Sequence, residues 1–302
     1  MTQTHTDLDE FGFLPNQALE QKVALPVVRR ENITLADGRT LSALVYGTGA
    51  PRAFFVHGAG LNAHTWDRTI LSLAEPAIAI DLPGHGESSW RNDGAYTPEL
   101  LAPDLAAALA AWATGPVALI GHSLGGLAAL LTAAHHPGTV SSLTLVDIVP
   151  GAGREGASGL AEFFRRLDFA SVEDAVDHAM SFSLGGSREA ARRGVLLNTR
   201  TRADGRIEWK HHMARIFSPS DDTPRVASDP EAGWRALEDV TVPVTLVAAS
   251  RGFLSPDDIT RFRAHQPHAR VVTLDASHNV QEGAFVALAR EISTDIPREV
   301  RP

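Results

Sequence analysis

Short apolar runs, each cut off by glycine or proline or by a charged or polar residue, recur along this chain at positions 53–56, 77–80, 117–120, 143–146, 244–248 and 271–274. Runs of four or five aliphatic residues are too short for helices and read as strands buried on both faces. Helix-length amphipathic patterns at 98–113, 124–135, 256–265 and 281–292 fall between several of them. Such alternation predicts an α/β fold, with a parallel sheet covered by helices on both sides. Two further runs, 27–35 and 40–46, flank Ala36-Asp37-Gly38-Arg39, a turn signal that makes them an antiparallel hairpin opening the sheet.

One long segment breaks the alternation. Residues 151–238 offer no good strand, and their amphipathic patterns at 159–167, 172–181 and 188–197 read as helices, followed by a turn at Ala203-Asp204-Gly205-Arg206. The expected organisation is a core of 1–150 and 239–302 interrupted by a helical lid at 151–238, with 1–24 a loosely packed arm. Most lid aromatics (Phe163, Phe164, Phe169, Phe182, Trp209, Phe217) are expected to pack on each other, with Phe163, Phe182 and Trp209 candidates for lining a pocket.

Composition narrows the chemistry. Acidic residues outnumber basic ones, 36 to 27, for a net charge of −9, which disfavours nucleic acid and anionic membranes as partners. The absence of cysteine excludes disulfides, thiolate nucleophiles and zinc–thiolate sites. No apolar stretch approaches the roughly 20 residues of a membrane span. Residues 1–20 lack the basic and apolar regions of a secretory signal, so a cytoplasmic enzyme acting on a small molecule is expected.

The chemistry concentrates at Val117-Ala118-Leu119-Ile120-Gly121-His122-Ser123-Leu124-Gly125-Gly126, a strand running through G-x-S-x-G into a helix. A serine at such a turn is held strained with its hydroxyl exposed, while glycines on either side remove side chains that would collide. The helix that follows points its positive dipole end at the same spot, which favours developing negative charge. Ser123 is therefore the candidate nucleophile.

With that motif, Phe54-Phe55-Val56-His57-Gly58-Ala59-Gly60, Asp81-Leu82-Pro83-Gly84-His85-Gly86-Glu87-Ser88 and Ser277-His278-Asn279, the chain resembles the α/β-hydrolase fold superfamily over about 27–150 and 240–292. The resemblance implies a mostly parallel eight-stranded sheet flanked by helices, no cofactor and no metal. It implies His278 as general base, and backbone N–H groups of Ala59 and Leu124 as the oxyanion hole. Of the 13 histidines, His57, His85 and His122 are better read as structural hydrogen-bonders. His211 and His212 are adjacent, unlike the i, i+4 pairs that ligate metals.

The triad acid departs from the family's commonest pattern. The loop after the penultimate strand reads Ala249-Ser250-Arg251-Gly252-Phe253, with Arg251 or Gly252 where an aspartate is usual. An alternative family position, after the strand following the nucleophile helix, falls on Asp147, with Asp257 and Asp258 as rivals. The expected reaction is hydrolysis of an ester, lactone or related acyl bond through an acyl-enzyme on Ser123. Amide or carbon–carbon bond cleavage, a cofactor-free dioxygenase or lyase, and a non-catalytic receptor are the alternatives that the same fold allows.

Overall fold

The structure is a computed structural model, and its described residues are 9–182, 186–216 and 228–297. In chain order the strands are β1 (Val28–Thr34), β2 (Thr40–Tyr46), β3 (Ala53–Val56), β4 (Ala77–Asp81), β5 (Val117–His122), β6 (Val140–Val146), β7 (Asp168–Phe169), β8 (Thr199–Thr201), β9 (Ile207–Trp209), β10 (Val244–Arg251) and β11 (Arg270–Ser277). The helices of the core are α1 (Leu14–Gln21), α2 (Asp67–Leu73), α3 (Pro98–Trp112) and α4 (Leu124–His135). Those of the insertion are α5 (Arg154–Phe164), α6 (Val172–Ser181), α7 (Arg188–Asn198), α8 (Met213–Ile216) and α9 (Pro230–Asp239). The core resumes with α10 (Pro256–His265), α11 (Val280–Gly283) and α12 (Phe285–Ser293).

The central sheet has eight strands in the order β1-β2-β4-β3-β5-β6-β10-β11. Only β2 runs antiparallel to its neighbours; the remaining pairings are parallel. Successive residues of each buried strand feed opposite faces. Phe54, Ile80, Leu119 and Leu145 join one core with α3, α4 and α9, while Phe55, Ala79, Ile120 and Val146 join the other with α1, α2 and α12. That division explains the near-continuous apolar runs: a strand buried on both sides has no polar face to alternate with.

From residue 9 onward the arm is not loosely packed. Leu14 and Ala18, one helical turn apart on α1, are buried against the core, and Glu10 pairs with Arg30 of β1 at 2.6 Å. Arg30 also reaches the buried Asp81 at 2.7 Å, so the arm is tied to the end of β4. A buried carboxylate needs such a partner, because an isolated charge in the interior is costly.

The segment 151–238 is not purely helical either. β7, β9 and β8 form an antiparallel three-stranded sheet, closed between β8 and β9 by Arg202 N–H to the Arg206 carbonyl (2.8 Å), with Gly205 in the left-handed region at φ 82°. Strands of two or three residues are too short for a period of two to be legible. The two ends of the insertion lie side by side: a Cβ added at Gly233 would sit 2.9 Å from the Pro150 Cβ, and one at Gly151 would sit 3.3 Å from that of Pro230. Phe217 lies outside the described residues.

Candidate active site

The sheet register delivers the candidate residues to one edge. His122 pairs with Val146, Val146 with Val247, and Arg251 with Ser277. Ser123, Asp147, Gly252 and His278 are each the next residue along, so all four leave the carboxyl ends of adjacent strands, where open parallel sheets hold their sites.

Ser123 has φ 51° and ψ −123°, a conformation rare for any residue with a side chain. The turn holds it there because the chain is crowded on both sides. A Cβ at Gly121 would lie 2.6 Å from the Gly125 carbonyl oxygen, and one at Gly125 would overlap the carbonyl of His57. Ser123 is half-buried, with the first turn of α4 directly behind it.

His278 Nδ1 lies 2.8 Å from Asp147 Oδ2. The Asp147 carboxylate is fully buried and also accepts from the backbone N–H groups of Ala249 (2.9 Å) and Phe253 (2.9 Å). Three hydrogen bonds to one carboxylate fix its direction. Asp147 itself has φ 50°, the second strained non-glycine residue at this edge. Gly252 explains the departure of the following loop from the family pattern. A Cβ there would overlap the Asp147 carboxylate, so glycine makes room for the acid arriving from β6.

The rivals are occupied elsewhere. Asp258 accepts from Ser255 N–H (2.9 Å) and Ser255 Oγ (2.7 Å) in the capping box of α10, and Asp257 sits exposed in its first turn. Side chains of this kind complement the orphan N–H groups of a helix start.

Three buried histidines shape the surroundings. His85 Nε2 accepts from Gly60 N–H (3.0 Å), and its Nδ1 donates to the Pro83 carbonyl (3.0 Å). His57 Nε2 accepts from Leu82 N–H at 3.0 Å. Together they brace the turn that carries Ala59. His122 lies against His278, ring centroids 4.5 Å apart. Burial lowers the pKa of all three, so they are neutral at ordinary pH. Among the described residues neither Ala59 N–H nor Leu124 N–H has a protein acceptor, and both residues are half-buried. Two unused N–H groups beside the serine are what an oxyanion site requires.

Sequence reasoning did not anticipate Phe253, whose ring stacks flat on His278 (centroids 3.6 Å apart, planes at 16°) and meets the lid's first turn at Gly153. Nor did it single out Phe164. Phe163, Phe169, Phe182 and Trp209 pack on one another as the lid's own core. Phe164, which also packs on Phe163 and Trp209, reaches over Gly60, where a Cβ would overlap its ring. The lid docks on the body through Arg193 of α7, which donates to Asp67 Oδ2 (2.8 Å) and the His64 carbonyl (2.7 Å). Among the described residues no group of histidines and carboxylates is arranged to hold a metal ion.

Comparison with known proteins places these features in context. A sequence model described as the alpha/beta hydrolase family matches residues 53–291. Esterase Rv0045c of Mycobacterium tuberculosis (strain ATCC 25618 / H37Rv) is 35% identical over 286 residues, covering 91% of this chain and 92% of that protein. A solved structure of the same esterase superposes with a TM-score of 0.82 at 34% identity, over 95% of this chain and 98% of the other. The structure of E-2-(acetamidomethylene)succinate hydrolase, at 23% identity and a TM-score of 0.76, covers 89% of this chain and 99% of its own and shares the fold.

Proposed function

The chain belongs to the alpha/beta hydrolase family, and from that premise we propose that it is a serine esterase whose triad is Ser123, His278 and Asp147. It is a hydrolase; the identity of the bond and of the catalytic residues is our reading. The observation that carries it is the 2.8 Å contact between His278 Nδ1 and the buried Asp147 carboxylate, at the same sheet edge as the strained Ser123. The relative named as an esterase over nearly the whole chain favours an ester over an amide or a carbon–carbon bond.

In this mechanism His278 takes the Ser123 hydroxyl proton as Oγ attacks the ester carbonyl. The resulting oxyanion is held by the N–H groups of Ala59 and Leu124. Asp147 fixes the imidazole tautomer and stabilises the imidazolium. Collapse expels the alcohol, which receives the proton from His278. Water then attacks the acyl-enzyme, again giving its proton to His278, and the acid leaves Ser123. The lid, 151–238, covers the site and selects substrates.

Among the described residues no helix is long and apolar enough to cross a membrane. The acidic balance of the chain supports a small-molecule substrate over a polyanionic partner. The test combines a panel of short and medium acyl esters with a fluorophosphonate probe. Ester turnover abolished in step with labelling of Ser123 is expected. Turnover that survives complete labelling, or labelling at another residue, would overturn the assignment.

A further inference from the structure

The mechanism uses one histidine, yet another buried polar side chain lies a single ring away from the oxyanion turn. His211 follows β9, is 1% exposed, and has no hydrogen-bond partner at either Nδ1 or Nε2 among the described residues. Of the other buried histidines, His122 leaves only Nδ1 unpaired, so His211 alone among the described ones lacks a partner at both nitrogens. His85 uses both ring nitrogens, and His178 of the lid bonds the Phe163 carbonyl at 2.9 Å. Buried groups left unpaired are uncommon in folded proteins because they lose water's hydrogen bonds and gain nothing in return.

The position of His211 is fixed by its neighbours. Lys210 N–H donates to the Asn198 carbonyl (2.8 Å), and His212 N–H donates to the Gly84 carbonyl (2.7 Å). The ring stacks beside Trp209 with centroids 5.4 Å apart and lies 6.1 Å from the His85 ring, so it is clamped among aromatic rings. Burial, assisted by the nearby His57 and His212, pushes its pKa down to about 3. The neutral imidazole offers one donor and one acceptor.

Phe164 connects this residue to the site. Its ring meets His211 edge-on at 4.4 Å and also fills the space over Gly60, next to Ala59. α5, which ends in Phe164, begins just after Gly151 and Gly153, both in the left-handed conformation that glycine adopts without strain.

We propose that His211 sets specificity by hydrogen-bonding an oxygen substituent of the ester, a hydroxyl, keto or ether group, in the space from which the substrate displaces Phe164. This rests on the esterase reading above. A residue kept unsatisfied in the free protein at a cost in stability gains its partner only when the right substrate enters, and so distinguishes that substrate from its plain alkyl analogue.

The test compares kcat/KM for methyl butanoate, methyl 3-hydroxybutanoate and 2-hydroxyethyl butanoate in the wild type, His211→Phe and His211→Gln. The wild type is expected to favour an oxygenated ester by about tenfold, the worth of one neutral hydrogen bond. His211→Phe should erase that preference while keeping methyl butanoate turnover, and His211→Gln, with a donor and an acceptor, should restore part of it. A wild type indifferent to the oxygen, or a His211→Phe variant slowed equally on all three esters, overturns the inference and leaves the triad standing. Turnover of none of them by the wild type would sink the esterase reading and this inference together.

Discussion

The ring Nε2–H of His122 donates to the carbonyl oxygen of His278 at 3.0 Å, so the residue before the proposed nucleophile holds the loop that carries the proposed base. A carbonyl can only accept, which fixes the His122 tautomer with its proton on Nε2. Burial first, and the neighbouring His278 second, lower the His122 pKa well below 6.5, so the ring is neutral at working pH with its single proton on Nε2. Replacing His122 by Leu is expected to lower kcat by roughly 10- to 100-fold with little change in KM, the cost of misplacing a catalytic group. Steady-state kinetics on one ester would check this; a rate within twofold of wild type means the loop holds itself.

Ser123 gives two separable outcomes. Ser123→Ala should remove activity by a factor on the order of 10⁴ or more, because no other group forms the acyl-enzyme. Ser123→Gly should be equally inactive yet more stable than Ser123→Ala by about 1–3 kcal/mol, since glycine alone adopts φ 51°, ψ −123° without strain. Denaturant melts of the two variants decide it, and equal midpoints would show that the elbow stores no strain.

Asp147→Asn keeps the shape of the buried acid but loses its charge, and a cost on the order of 10⁴ in kcat is expected from the serine-protease precedent. Asp257→Asn should be silent. Asp258→Asn should lose at most about 1 kcal/mol of stability through the α10 capping box, with activity unchanged. An active Asp147→Asn beside a dead Asp257→Asn or Asp258→Asn would relocate the acid.

Stability should depend on pH through the buried histidines. The His57, His85, His122 and His211 pKa values are lowered below 6.5 by burial, so below pH 6.5 the unfolded chain binds protons that the folded one refuses. Folding stability therefore falls as pH drops through 6.5, and for His211 keeps falling to about pH 3. His64 opposes the trend: burial lowers its pKa, but Asp67 and Glu10 outweigh that and raise it, so its contribution is present below 6.5 and lost as pH rises. Glu10 adds to the acid loss. Burial raises its pKa, yet hydrogen bonds from His64 and Arg30 prevail and hold it at about 2, so its contribution is present above 4.5 and disappears between 4.5 and about 2. His211→Phe should flatten the profile between pH 6 and 4 by up to one proton, about 1.4 kcal/mol per pH unit. Chemical melts across that range measure the slope; an unchanged slope would mean His211 is not held neutral.

The strands and most core helices were legible because burial on both faces writes uninterrupted apolar runs between glycines and prolines. α4 and α10 match their expected bounds, 124–135 and 256–265. His278 was singled out only by the family resemblance, whereas the arrival of Ser123 and Asp147 at one sheet edge was readable from motif and strand context. Gly252 was not, because its meaning depends on a carboxylate reaching over from β6, 105 positions earlier in the chain (252 − 147). Phe164 and Phe163 are neighbours of one type in an amphipathic helix, and only packing shows that both serve the lid core while Phe164 also reaches over Gly60. The arm failed for a related reason: Leu14 and Ala18 are a sparse apolar pair whose partners lie far away in the chain.

Because Pro150 and Gly151 lie against Gly233 and Pro230, the insertion leaves the core after β6 and returns to it close by, ahead of β10, and it is held on the body as well by Arg193 and by the His212 N–H on the Gly84 carbonyl. The sheet does not register how long the insertion is, since closing it costs little more as it grows. Ser123, Asp147 and His278 all lie outside the insertion, so a change in its length alters the cover over the site and leaves the strands that carry these three residues in place.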